Sequence, residues 1–481
     1  PARERRARHD CGSAPLTRRG CGVTSQSYGS PATILNTNPY PSERFATLAG
    51  WLEWLETLHP KKIDLSLGRV KEVLSAMGLE RPPYRIITVG GTNGKGSCVA
   101  MLESIYRQAG HRVGAFTSPH LWKFNERLRL DGREASDAEL VEIFRLIDAA
   151  RGDVTLSYFE YSAVAAIAWF AVEEVQIALL EVGLGGRLDA VNALEPDASL
   201  IVSIDLDHQD WLGETRDEIA LEKAGILRQA RPAIVADRNP PATLLEYAQD
   251  LGTTLGILGR DFDYELLPNR RWRYRAAAWE SPDLPVPPFG GRVQLSNVAA
   301  CAAVVQSLRA DLRVTDAALA RGIERARLPA RMESRQLDGV EWIFDVAHNP
   351  AAARALAEDL TSRFKPARTI AVFAAMADKD VAGVIDPLIA VVDEWIVTRA
   401  DPERGAPEKL LLDLLLERHA RNARARSLVS EACRVARDLA VAGDRVLVFG
   451  SCYMVGPAME AVGLYCAPST PDDRSSIWTG A

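Results

Sequence analysis

Residues 85–99 read RIITVGGTNGKGSCV: an apolar, β-branched run, a glycine-rich turn with one lysine, and the opening of a helical pattern that runs on to Gly110. A strand feeding such a turn aims backbone N–H groups at an anion, and the helix N-terminus adds partial positive charge. The usual P-loop places glycine five residues before its second glycine and Ser or Thr directly after the lysine, where the hydroxyl meets magnesium. Here those positions are Val89 and Gly96, and the hydroxyl comes one residue late, at Ser97. The turn is a P-loop with altered chemistry, a different phosphate cradle, or a plain strand–helix connector.

The rest of the chain narrows the choice. Its 481 residues, 47% hydrophobic and 25% charged, suit two or three globular domains. A net charge of −7 gives no global field for nucleic acid or an anionic membrane. Seven cysteines lie far apart without a CxxC pair, which argues against a disulfide framework or zinc cluster and for a reducing, cytoplasmic setting. The longest apolar stretch, Tyr161 to Val172, is too short to span a bilayer. Residues 1–44, rich in Arg, Ser, Gly and Pro, are expected to form a disordered basic tail, with an Arg-rich transit peptide as the alternative. Residues 467–481 read as a second loose end.

From Phe45 onward, strand-like runs alternate with helix-length segments. RIITV, HRVGAF (111–116), VQIALLEVG (175–183) and ASLIVSIDLDH (198–208) form one series, and the aromatic, Pro-rich stretch near 260–290 reads as strands closing it. The rhythm restarts after about residue 335 with EWIFDVAHN, TIAVFAAMADKD, DEWIVTRA and DRVLVFGSC. Alternating β and α units imply parallel sheets covered by helices. The expected fold is two tandem α/β domains: a P-loop ATPase-like domain with a parallel sheet over 45–328, and a smaller Rossmann-like domain over 329–466.

Ligands of open parallel sheets bind outside the carboxyl ends of the strands. At those ends stand GGTNGKGS, then Thr117, Ser118 and His120, then Glu181, then Asp205, Asp207 and His208. Each has a bland alternative: a connector, a turn serine before proline, a surface acid, a structural histidine. Together they favour a nucleotide–magnesium site, with Glu181 where a Walker B acid would stand.

These residues carry a resemblance. GTNGKGS, TSPHL (117–121), YFEY (158–161), EVGLGGRLDAVN (181–192), DHQDWLG (207–213), EKAGILR (222–228), LPARME (328–333) and FDVAHNP (344–350) resemble, in order, the signature blocks of folylpolyglutamate synthase/dihydrofolate synthase, in the Mur-ligase-like group of ATP-dependent amide ligases. The resemblance covers about residues 45–465. It implies that Thr92, Asn93, Gly94, Lys95, Gly96 and Ser97 cradle ATP phosphates, and that Asn297, Arg331 and Asp345 also contact ATP, with His348 beside them. It implies two magnesium ions, one on Ser118 and Glu181 and one on His208, and an N-carboxylated Lys223. It places Lys95, Lys223, His208, Arg331, Asp345 and His348 in the catalytic machinery. In the branch that also uses dihydropteroate, a pterin pocket is implied at Ser157, Tyr158, Phe159 and Glu160, with Leu188, Asp189 and Ala190 alongside.

The implied reaction adds L-glutamate to dihydropteroate and to reduced folates through an acyl phosphate, in a cytoplasmic monomer with small-molecule partners. No protein nucleophile is needed, because ATP makes the leaving group and the protein positions reactants and neutralises charge. The alternatives are a synthase that only extends folates, a Mur-type cell-wall ligase, and a nucleotide-dependent switch without an acid substrate.

Overall fold

The computed structural model describes residues 44–268, 271–420 and 422–464. The expectations for the two tails therefore lie outside the described residues, except Arg44, whose guanidinium meets Asp148 at 3.0 Å. The first sheet comprises β1 (Arg85–Gly90), β2 (Val113–Phe116), β3 (Leu128–Leu130), β4 (Arg133–Glu134), β5 (Ile177–Glu181), β6 (Ala198–Ile201), β7 (Pro232–Val235) and β8 (Thr254–Ile257). Its spatial order is β4-β3-β2-β5-β1-β6-β7-β8, parallel from β2 to β8, with β3 and β4 antiparallel at one edge.

Strands buried on both faces need unbroken apolar runs, and IALLE of β5 is buried at all five positions. Alternate residues serve opposite cores. Ile86, Phe116 and Leu180 join one cluster, while Ile87, Val89, Ala115 and Leu179 join the other. The first core holds the helix Tyr158–Val172, which is buried from Glu160 through Ala171. The apolar stretch Tyr161–Val172 is thus a core helix, and no described helix is long and apolar enough to cross a membrane.

Strands β9 (Phe262–Leu267), β10 (Arg271–Ala276) and β11 (Trp279–Pro285) make an antiparallel meander. Trp272 and Tyr274 from it pack with the helix Val293–Ser307 in the second core. The third sheet contains β12 (Glu333–Leu337), β13 (Val340–Phe344), β14 (Thr369–Phe373), β15 (Glu394–Val397), β16 (Ala423–Ala425) and β17 (Arg445–Phe449), in the order β12-β13-β17-β14-β15-β16. All its pairings are parallel except β12–β13. The chain is thus a two-domain α/β protein.

Two expectations shift. The stretch 198–208 is strand only to Ile201, because Ser203 leaves the sheet to exchange hydrogen bonds with the Asn93 backbone. The edge strands β12 and β16 escaped the sequence pattern: ESRQL is polar and half-exposed, and ARA is three residues long.

Candidate active site in the cleft between the sheets

The carboxyl ends of both large sheets border one cleft of about 2360 Å³, whose wall includes Gly96, Ser118, Glu181, His208, Arg331, His348, Lys379 and Ser451. The cradle after β1 is shaped by two glycines. At Gly91 (φ +142°) a Cβ would lie 3.0 Å from the backbone nitrogens of Val202 and Ser203. At Gly94 (φ +84°), the N-cap of the helix Lys95–Gln108, it would lie 2.8 Å from Val202 and 3.0 Å from the Asn297 amide. Thr92 is pinned to the loop after β6: its N–H donates to Ser203 O at 2.7 Å, and its hydroxyl donates to Asp205 O at 3.0 Å. The Lys95 ammonium folds over the turn, donating to the carbonyls of Gly91 (2.9 Å) and Thr92 (3.1 Å). Burial pulls its pKa down, and Glu181, Asp207 and Asp189 oppose that shift.

Ser97 does not join this cradle. One residue advances a helix by about 100°, so the displaced hydroxyl falls on the buried face, where it accepts from Gln294 Nε2 at 3.4 Å. Gln294 also accepts from buried Asn297 at 3.0 Å. Gly96 takes the cleft-facing position instead, and a Cβ there would sit 3.6 Å from Glu181 Oε2.

The residues suited to magnesium come from separate elements. Glu181 closes β5 and accepts from Ser118 N–H at 3.1 Å; burial raises its pKa, and Lys95 opposes that. His208 (φ 52°) starts a short helical turn, and burial lowers its pKa to about 4, leaving a neutral imidazole. Lys223 is buried on the helix Arg216–Ala224, where burial, helped by the charge of Lys95, lowers its pKa to about 7. Among the described residues no three His, Cys, Asp or Glu side chains converge as a self-sufficient metal site. The donor set fits magnesium, which keeps waters and takes one or two protein ligands plus substrate phosphates.

Contacts between the domains converge on Asp207. Lys379 Nζ donates to its Oδ1 at 2.6 Å, Asn349 Nδ2 donates to Oδ2 at 2.9 Å, and His348 Nε2 stands 3.6 Å away. Lys379 also reaches His208 Nε2 at 3.2 Å. The side-chain amides of Asn93 and Asn349 bond each other reciprocally, at 2.9 and 3.2 Å. Lys379 and Asn349 were not among the expected site residues. Asn349 also caps the helix Pro350–Ser362. Asp345 accepts from Met332 and Ala347 N–H at 2.9 and 2.8 Å; burial raises its pKa and the charge of Arg331 opposes that.

The expected pterin pocket lines the same cleft through Ser157, Tyr158, Phe159, Glu160, Leu188, Asp189 and Ala190. Phe159 lies against Gly183 and 5.8 Å from the Phe116 ring. Two carboxylates there are already committed. Glu160 forms a capping box with Ser157 and pairs with Arg69 at 2.8 Å. Asp189 accepts from Gly183, Leu184 and Val191 N–H groups at 2.9, 2.9 and 3.1 Å. Both acids therefore also hold the walls of the pocket in place. Arg127 was missed altogether. It is 8% exposed, donates to His120 Nδ1 at 2.8 Å, stacks over Tyr158 at 5.5 Å, and has no carboxylate at ion-pair distance among the described residues. It lines the cleft as an uncompensated cation.

Comparison with known proteins identifies the family. Residues 330–452 match the family "Mur ligase, glutamate ligase domain". The chain is 39% identical over 415 residues to the Escherichia coli dihydrofolate synthase/folylpolyglutamate synthase, covering 86% of this chain and 95% of that one. The structure of E. coli FolC in complex with DHPP and ADP aligns with a TM-score of 0.83 at 38% identity, over 88% of this chain and 99% of that one. The bifunctional enzyme of Yersinia pestis complexed with AMPPNP and Mn aligns with a TM-score of 0.81 at 38% identity, over 88% and 100% of the two chains. These matches, over most of both chains, show that the chain belongs to the dihydrofolate synthase/folylpolyglutamate synthase family of ATP-dependent ligases.

Proposed function

We propose that this protein joins L-glutamate to the carboxylate of dihydropteroate, giving dihydrofolate, and to reduced folates, giving folylpolyglutamates. One observation carries the reading: Gly96, at the end of the glycine turn, and an aromatic pocket with a buried arginine that no carboxylate pairs line the same cleft. A ligase must hold ATP and an acid together, and a switch has no use for the second half.

In the first step a carboxylate oxygen of the acid attacks the γ-phosphorus of ATP; the bond to the β-phosphate oxygen breaks and ADP leaves. The backbone of Gly91–Gly94, Lys95 and Arg331 steady the transferring charge, without reorganising at the moment of reaction. In the second step the neutral amine of glutamate attacks the acyl carbon, the carbon–oxygen bond to phosphate breaks, and the amine releases a proton as phosphate departs. Arg127 suits a substrate carboxylate, and Tyr158 and Phe159 offer ring faces to a pterin.

Glu181 with Ser118, and His208 with Lys223, are the groups that would hold magnesium, which when bound neutralises phosphate charge. Carboxylation of Lys223 would replace an ammonium with oxygen donors. The neutral amine available near pH 7 is the form that reacts with CO2. Both walls of the cleft come from one chain, so a monomer suffices, and cysteines scattered without a disulfide framework suit a reducing, cytoplasmic setting.

The test is ADP release with L-glutamate against dihydropteroate, tetrahydrofolate and a muramyl nucleotide. Release that needs glutamate and either pteroyl acid supports the reading. Release without any acid would favour the switch, and release with the muramyl substrate alone would favour a cell-wall ligase.

A further inference from the structure

Repeated glutamylation poses a geometric problem that rests on the proposed ligase activity. Each round must bring a new terminal carboxylate to the same phosphate cradle, while the pteroyl head has one aromatic pocket. The spacer grows and the slack needs somewhere to go.

The cleft continues along the helix Lys95–Gln108 past the cradle. Its floor there is Gly96, Ala100 and Ser104, one per turn on the same face, and it reaches Arg107. From Gly96 to Arg107 that face spans roughly 16 Å. Three exposed arginines border the far end: Arg107, Arg325 and Arg327. Arg107 lies over Gly132, where the missing Cβ leaves room for the guanidinium. Arg325 donates to Gln108 Oε1 at 3.4 Å, and Arg327 donates only to the backbone carbonyls of Glu324 and Ala326. None has a carboxylate within ion-pair distance among the described residues. Their neighbours differ: Arg129 is paired with Glu103 at 3.0 Å and Arg133 with Glu139 at 2.7 Å.

We propose that this groove is a subsite for the oligoglutamyl tail of folate substrates, with Arg107, Arg325 and Arg327 receiving its free carboxylates. Each glutamate joined through either of its carboxyls keeps the other free, so a row of unpaired cations matches the tail charge for charge. Dihydropteroate has no tail and gains nothing there.

The experiment compares the wild type with the combined Arg107→Gln, Arg325→Gln, Arg327→Gln variant. KM and kcat are measured for dihydropteroate and for reduced folates carrying one, three and five glutamates, at low and high salt. Exposed pairs each contribute a factor of about two or more, so the variant should raise KM for the five-glutamate substrate about tenfold at low salt. Values for dihydropteroate should not move, and high salt should erase the difference. Equal effects on every substrate, or a lower melting temperature with tail-length dependence intact, would show that the arginines only serve their helix C-termini and would overturn the subsite. If the wild type turns over dihydropteroate but tail length never matters, only this inference falls. Failure to turn over any pteroyl acid defeats the ligase reading as well.

Discussion

Lys379 offers the sharpest test of how the cleft is assembled. Its ammonium and the Asp207 carboxylate are each only 8% exposed, 2.6 Å apart, and come from different domains. Burial works against ionising Asp207, but the contact with His348 and the charge of Lys379 outweigh it and hold the carboxyl far below the usual range. Removing one partner of a buried pair costs about 3–5 kcal/mol when the other charge stays buried. Here opening the cleft would let Asp207 hydrate, so the cost is capped by the cost of opening. We therefore expect Lys379→Ala to lose about 2–3 kcal/mol of closed-state stability, or roughly 30- to 150-fold in kcat/KM.

The hydrophobic clusters that stabilise each domain do not include Lys379, so the melting temperature should hold within a few degrees. Steady-state ADP release gives the rate, and Asp207→Asn completes a double-mutant cycle. Because the two groups act on each other, the double variant should be less impaired than the sum of the singles. Activity of Lys379→Ala within threefold of wild type, or strictly additive losses, would refute the coupling.

The other variants test the site itself. Lys95→Ala should fold normally yet lose about 10²–10³ in rate, as removal of one preorganised charge contact does; ADP release and a thermal melt check both halves. Glu181→Ala and His208→Ala should each shift the magnesium titration upward, and an unchanged titration in both would remove the metal assignment. Burial holds Lys223 near 7, so its neutral fraction grows as pH rises through that value; in CO2-depleted buffer activity should fall and return on adding bicarbonate, with easier recovery at pH 8 than at pH 6. Phe159→Ala should impair dihydropteroate more than a glutamylated folate, which keeps contacts through its tail, and equal KM changes for the two would contradict the pocket.

Sequence made the strand ends legible because a buried parallel strand must be an unbroken apolar run, and whatever polar residue stops it stands at the ligand edge. That is why Glu181 and the Gly91–Lys95 turn could be picked out from residue order alone. Lys379 could not, because a lysine in MADKD carries no periodic signal and its partner lies 172 residues away. Arg127 hid for a related reason: only the fold shows that no described carboxylate forms an ion pair with it. The structural part played by Glu160 was legible. Ser-Tyr-Phe-Glu at 157–160 spells a capping box, and such a glutamate is already spoken for by the helix it starts. Asp189 gave no such warning, since its three backbone donors come from a loop whose shape is tertiary.

The glycine after the lysine now has a physical account. In the ordinary P-loop a hydroxyl on the first helical turn brings magnesium close to the loop itself. Here the first turn presents Gly96 to the cleft, with Glu181 just beyond the space a Cβ would take. A serine at 96 would put a hydroxyl against that carboxylate and narrow the groove floor that continues through Ala100 and Ser104. With the groups proposed for magnesium on other elements, at Ser118, Glu181, His208 and Lys223, the helix face stays smooth. The same substitution that makes the motif look broken thus clears a path from the phosphate cradle along the helix. A nucleotide switch gains nothing from such a path, but a ligase whose acid substrate lengthens with every turnover does.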